Sequence, residues 1–332
     1  MKGHGVWGLA AGRLRHDRLG MGALVVVSVF VVMIVLVSLH LLAGDWAVER
    51  GEHYANPSFL GPGPDELAMI APPPGQMLDL TAVDPLSPHY ADIERRTREL
   101  QTAVRPRLRT LPFGGDRYGR DVLKKAIKGT QVSIIVGLAA ALVATFIGSL
   151  LGAFAGFCGG FIGDVLEWLY NVFTSVPYIL LIFAFAAVSG RGIVSVIVIL
   201  GLTGWTGVYR LIRAEYLKHS TREYVRAAQA IGAPPLARMF VHILPNVSHV
   251  ILVQLSLNVV GFIKAEVILS FLGLGVSVDS VSWGTMLNEA QSELILGKWW
   301  QLTAATLFMA VFVTAFSLFT DSLRDALDPK LR

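Results

Sequence analysis

A single cysteine, Cys158, and a scarcity of charge set the first limits on this chain: Asp, Glu, Lys and Arg make up 16% of its 332 residues. One thiol cannot close an internal disulfide, so no disulfide framework holds the fold, and Cys158 leaves the redox compartment unread. The charged fraction falls well below the roughly one quarter usual in soluble domains. With 54% hydrophobic residues and a mean hydropathy of +0.59, that scarcity excludes a soluble globule and puts most of the chain in a bilayer. Catalytic signatures are missing too. There is no G-x-x-x-x-G-K-[ST], so the chain has no usual cradle for nucleotide phosphates and hydrolyses no ATP itself. No H-E-x-x-H, C-x-x-C or G-x-S-x-G occurs, His242 and His249 lie too far apart for adjacent helical turns, and Ser189 has no evident base. These gaps predict a non-enzymatic chain with no metal site and no cofactor of its own. The net charge of +4 and a pI near 9.2 come without a basic stripe interleaved with aromatics, so they do not point to nucleic acid.

What is abundant is apolar sequence. Six runs are long enough to cross about 30 Å of hydrocarbon at about 20 residues each: 21–43, 130–157, 166–188, 193–209, 247–274 and 302–319. The first exceeds a signal-peptide core and no A-x-A site follows it, which favours a retained anchor. Basic residues near span ends set the orientation. Lys2, Arg13, Arg15 and Arg18 precede the first span, and Arg210, Arg213, Lys218, Arg222, Arg226 and Arg238 surround the connection between the fourth and fifth. Arg324, Lys330 and Arg332 close the chain, whereas 189–192 and the stretch after 274 are nearly free of cations. Both termini are therefore expected in the cytoplasm of a multi-pass inner (plasma) membrane protein. The predicted class is an all-α polytopic membrane protein with six transmembrane helices. It would comprise a cytoplasmic segment 1–20, a first helix 21–43, an extracytoplasmic insertion 44–129, a five-helix core 130–322 holding a cytoplasmic loop 218–246, and a cytoplasmic end 323–332.

The insertion is Pro-rich at first (Pro57, Pro62, Pro64, Pro72, Pro73, Pro74) and charged later, which reads as a compact elaboration without catalytic character. Residues 89–109 suit a short helix with Ile93, Leu100 and Val104 on one face. Asp121 is placed to cap a surface helix that ends at Gly129, with Val122, Leu123, Ala126 and Ile127 opposing Lys124, Lys125 and Lys128.

Within the spans, Gly148, Gly152 and Gly156 repeat every four residues on one helix face, the spacing that lets two helices approach closely; lining a substrate path is the alternative. Pro177 is expected to kink the third span. Gln254, Asn258, Lys264 and Glu266 share the fifth span, and a lipid-facing helix would avoid all four. They mark either a translocation path or pairing with another helix. Lys264 and Glu266, two residues apart, point in different directions and should not pair with each other.

The segment 223–246, EYVRAAQAIGAPPLARMFVHILPN, lies between two apolar stretches. Tyr224, Ala227, Ala228 and Ile231 recur at three-and-four spacing with Glu223, Arg226 and Gln229 around them, and the small residues admit a partner close to the backbone. Gly232 is the expected residue just past the helix end, and Pro234 and Pro235 force the chain to turn. The pattern describes a docking element or an ordinary cytoplasmic loop.

These residues carry a family likeness. The segment resembles the EAA loop of permease subunits in binding-protein-dependent ABC importers, with Ala227, Ala228, Gly232, Leu244 and Pro245 at the family spacing. FGGDRYGRDVL at 113–123, including Asp116, Gly119, Arg120 and Asp121, is similar to the outer motif of the dipeptide/oligopeptide/nickel group. The glycines of 156–160, LSFLGLG at 269–275, SWGTML at 282–287 and LRDALDP at 323–329 match that group's later motifs in order. The likeness runs from about residue 113 to the end and resembles the C-type partner of a B/C permease pair. It implies the type I ABC importer permease fold, a second, B-type permease subunit, two ATPase subunits that bind ATP and Mg, and an extracytoplasmic solute-binding protein. It implies peptide cargo, with nickel chelates, glycans or peptide antibiotics as alternatives. Three departures stand out: Arg226 replaces the family's leading glutamate, Gly115 replaces a threonine, and Lys264 occupies a normally apolar position. A secondary transporter, which would need internal inverted repeats, finds none here.

Overall fold

The computed structural model describes residues 12–62, 84–100 and 107–327, so Lys2, Pro64, Pro72, Pro73, Pro74, Val104, Lys330 and Arg332 lie outside the described residues. The chain divides into two compact units, Ala47–Val122 and the remainder.

The larger unit is helical. Asp17 opens α1 (Arg18–Ser38) by accepting the Leu19 N–H at 3.0 Å, the cap an exposed helix start requires. The smaller unit separates α1 from α3 and holds α2 (Tyr90–Leu100). The helix α3 runs unbroken over Val122–Cys158. The surface helix expected to stop at Gly129 is therefore the first part of the second span. Gly129 packs instead of terminating, since a Cβ there would meet the Ser282 backbone at 3.2 Å.

The third apolar run forms α4 (Gly160–Thr174) and α5 (Tyr178–Ser189), which meet at 84°. That is a break, sharper than the expected kink. Pro177 has no N–H to extend α4 and sits at φ −53°, ψ 128° as the first residue before α5. The fourth run is α6 (Ile193–Thr203) with α7 (Thr206–Ser220), and a short helix, α8 (Glu223–Ala230), follows. After the single turn α9 (Pro235–Ala237), Arg238–Ile243 is wound as a π-helix into α10 (Leu244–Phe271). Then come α11 (Trp283–Ile295) and α12 (Trp300–Leu327). Among the described residues five helices are long and apolar enough to cross a membrane, and six spans result if the bent pair α4/α5 counts as one. The polytopic helical architecture read from the sequence is the one observed.

Close packing has local causes. A Cβ on Gly148, Gly152 or Gly156 would lie 2.6, 2.7 and 2.5 Å from the carbonyl oxygens of Trp205, Tyr209 and Arg213 in turn. The three glycines thus bring α3 against the backbone of α7 over three turns. Phe30 of α1 packs on Phe312 of α12 at 5.1 Å between ring centroids. At one end of this pair Leu14, Leu323, Ala326 and Val253 form a small apolar cluster, so the segment just before α1, the end of α12 and the first third of α10 gather together.

The smaller unit contains a feature that helical periodicity does not disclose, a parallel pair of β1 (Gly51–Pro57) and β2 (Leu108–Leu111). Its helix α2 lies within the range read from sequence, of which residues 101–106 are outside the described residues, with Ile93 exposed and Asp92 paired to Arg95 and Arg96 at 2.5 and 3.0 Å.

Candidate functional site

Eight residues of α8 form the element with the plainest docking geometry. Its end is a complete Schellman motif: Gly232 N–H donates to the Gln229 carbonyl and Ala233 N–H to the Ala228 carbonyl, each at 3.0 Å. Gly232 sits at φ +88°, where a residue with a Cβ is strained, although nothing lies within 4 Å of the position a Cβ would take. The turn depends on backbone conformation alone.

The face of α8 turned inward is Val225 and Ala228, both buried. Grouping Ala228 with the exposed Tyr224, Ala227 and Ile231 is therefore corrected: spacing alone placed it on the outer face, and packing against the chain's own neighbours takes it inward. Val225 joins a core with Ala153 of α3, Val208, Ile212 and Tyr216 of α7, Met239 and Ile243 of the π segment and Val247 of α10. This anchor escaped the sequence reading, although Val225 and Ala228 are one helical turn apart and were available as an apolar pair.

Outward, α8 presents Glu223, Tyr224, Arg226, Ala227, Gln229 and Ile231, all exposed, with Ile231 at 85%. Gln229 is tied back to the π segment, its Oε1 accepting from Arg238 Nη1 at 2.6 Å. The Tyr224 hydroxyl lies 2.8 Å from His219 Nδ1, and partial burial holds that phenol above its ordinary range. The result is a short rigid arm. Its root is fixed in three spans and its outer face is open.

The four polar residues of α10 separate. Lys264 is exposed, whereas Glu266 is wholly buried and accepts from Ser270 Oγ at 2.7 Å. No ion pair joins Lys264 to Glu266 among the described residues. Gln254 donates to Asn258 at 3.4 Å, and Asn258 donates to Thr145 Oγ1 of α3 at 3.2 Å, so this pair ties two helices together.

In the smaller unit the motif at 113–123 builds itself around Asp116, which has no exposure. Its Oδ1 accepts from the Tyr118 and Arg120 backbone N–H groups at 2.9 and 3.0 Å, and Oδ2 from Arg120 Nε at 2.7 Å. Gly119, at φ +78°, offers its carbonyl to the N–H groups of Arg50 and Gly51 at 3.0 and 2.8 Å. Asp121 forms a bridge with Gly115 just before α3. These four residues hold a fold, and no metal-ligating group of three or more His, Cys, Asp or Glu occurs among the described residues.

The helical bundle carries its glycine-terminated arm between the fourth and fifth spans, when α4/α5 is taken as one, and the family it matches gives that arrangement its class, a transport permease. Residues 148–332 match the family model described as binding-protein-dependent transport system inner membrane component. The chain belongs to that family. It is 38% identical to the dipeptide transport system permease protein DppC of Bacillus subtilis over 66% of this chain and 69% of the relative. It is 33% identical to the oligopeptide transport system permease protein OppC of the same organism over 74% and 80%. It is 40% identical to the oligopeptide permease OppC of Salmonella typhimurium over 66% and 72%.

Proposed function

We propose that this chain is the C-type permease subunit of an ATP-driven importer of peptides, working with a B-type permease, two separate ATPase subunits and an extracytoplasmic solute-binding protein. Peptide cargo follows the named activities of the relatives. ATP and Mg belong to the ATPase subunits.

The observation that carries this reading is the build of α8, an exposed arm ended by a Schellman turn and rooted through Val225 in the core shared by α3, α7 and α10. Coupling requires that nucleotide state on one protein bias the conformation of another, so some element must touch both. In this proposal the outer face of α8 seats in a groove on an ATPase subunit, and closure of that subunit swings α8. The Val225 core passes the motion to the spans, which exchange inward-open and outward-open arrangements. In this proposal α8 and both termini lie in the cytoplasm, a reading supported by the basic residues near the span ends and in keeping with the cluster of Leu14, Leu323, Ala326 and Val253.

Of the polar groups in α10, exposed Lys264 is assigned to the path, buried Glu266 to packing, and Gln254 with Asn258 to the contact with α3. Cysteine at Ile231 should cross-link to an ATPase subunit in the assembled transporter, with a yield that changes when nucleotide is added. A nucleotide-independent yield, or labelling of that cysteine from outside intact cells, would overturn the assignment. Identifying what copurifies with the cognate binding protein tests the cargo.

A further inference from the structure

At the end of the bundle away from α8, the first turns of α3, the start of α6, the exit of α1 and the loop after α10 enclose a cavity of about 300 Å³. Its wall is divided by chemistry. Lys128, Gln131 and Asp279 supply polar groups, Trp46 an amphipathic ring of the kind that settles at membrane interfaces, and Ile135 and Ile193 an apolar side. Lys128 Nζ donates to Gln131 Oε1 at 2.6 Å, and Gln131 Nε2 in turn donates to Ser38 Oγ at 2.8 Å, which fixes the ammonium at the rim. An ammonium carries three donors, so Gln131 leaves two for a ligand.

From this cavity an exposed apolar stripe descends α3 through Ile135, Leu138, Leu142 and Phe146. At 1.5 Å per residue those eleven steps span about 16 Å, close to one leaflet of a hydrocarbon core of about 30 Å. Val194, Val198 and Leu202 form a second exposed stripe on α6, beginning beside Ile193. A cation and a carboxylate at the rim, above a leaflet-deep apolar track, complement a molecule with a phosphate, a primary ammonium and an acyl chain. An anionic headgroup without an amine would set its charge against Asp279. A quaternary ammonium would offer that carboxylate no N–H.

We propose that this cavity is a specific site for a zwitterionic glycerophospholipid bearing a primary ammonium, of the phosphatidylethanolamine type. Lys128 and Gln131 hold the phosphate, Asp279 accepts from the ammonium, and one acyl chain lies along α3 between Ile135 and Phe146. The site rests on the proposed orientation only for its leaflet, which is the outer one.

The test is lipid retention by the complete transporter purified in mild detergent, followed by native mass spectrometry of the wild type titrated with phosphatidylethanolamine, phosphatidylglycerol and phosphatidylcholine. The wild type should retain the ethanolamine lipid over both others. K128Q should lower its retention about fivefold, the factor that corresponds to about 1 kcal/mol per interfacial cation. D279N should abolish the preference for ethanolamine over glycerol headgroups while leaving anionic lipid bound through Lys128. Equal wild-type affinity for the three headgroups overturns the proposal without recourse to any variant. So does a D279N protein with the wild-type preference, or displacement of the bound lipid by a dipeptide.

Discussion

Substitution of Gly232 isolates the arm from every other part of the mechanism. No atom lies within 4 Å of a Cβ built there, so alanine differs from glycine only in the backbone conformation it accepts, and the same backbone preference separates asparagine and valine from it. At φ +88° an ordinary L-residue costs about 1–2 kcal/mol, asparagine less because it tolerates the left-handed region, and a β-branched residue more. The alternative to bearing that strain is to unwind the last turn and release the carbonyls of Ala228 and Gln229 to water. Each such hydrogen bond contributes only about 0.5–1.5 kcal/mol net, so the two routes compete and α8 loses its defined end. A cost of 1–2 kcal/mol is a factor of about 5–30 in the population of the intact turn. Peptide uptake into proteoliposomes should therefore fall in the order glycine, asparagine, alanine, valine. ATP hydrolysis by the assembled complex and the amount of inserted protein should stay near wild type, because neither requires the turn. A valine variant with normal ATP-driven uptake, or a series in which all three replacements fail equally along with insertion, would refute the strain argument.

Other substitutions test the packing. G152V forces α3 away from the Tyr209 carbonyl and should destabilise the subunit by about 1–3 kcal/mol, the usual range for overpacking, read as a lower unfolding midpoint in detergent; an unchanged midpoint would remove the glycine contact from the account. Lys125, 1% exposed, pairs with Glu289 and donates to Gln301 at 3.2 Å. K125M should destabilise the subunit by removing the cation from the half-buried Glu289 carboxylate, which keeps the Gln301 donor, and the double variant K125M/E289L should lose less than the sum of the two single variants. Additive single effects in that thermal-unfolding cycle would mean that the pair is not coupled. E266Q keeps the side-chain shape and an acceptor for Ser270, so uptake rate and cargo range should not change. An altered peptide preference in competition uptake would move Glu266 from packing to the path.

The sequence disclosed what local physics controls. Apolar run length located the five long apolar helices and the bent pair α4/α5, Gly232 and the two prolines marked the end of α8, and the four-residue glycine spacing matched the carbonyls of Trp205, Tyr209 and Arg213. What stayed hidden depends on distant partners. The pairing of β1 with β2 joins Gly51 to Leu108 across the Pro-rich stretch, and no window of local sequence contains both. Ala228 turns inward because Val225 has a pocket between α7 and the π segment, a fact of tertiary packing. The inward Glu266 and outward Lys264 follow from a helix rotation that hydropathy cannot measure, and the 84° break shows only as one proline.

The π-helical stretch Arg238–Ile243 has a mechanical meaning. Pro245, with no N–H of its own, follows two residues after it, and the wider turn absorbs the mismatch between the arm's root and α10. Rewinding such a bulge to the tighter α form displaces everything ahead of it by about one residue, which is about 1.5 Å of travel and about 100° of rotation. In the coupling proposed above, that one residue of slack sits at the junction of arm and span, where Met239 and Ile243 are buried against α3 and α7, so a push on α8 that rewinds the turn would be felt by those helices as well.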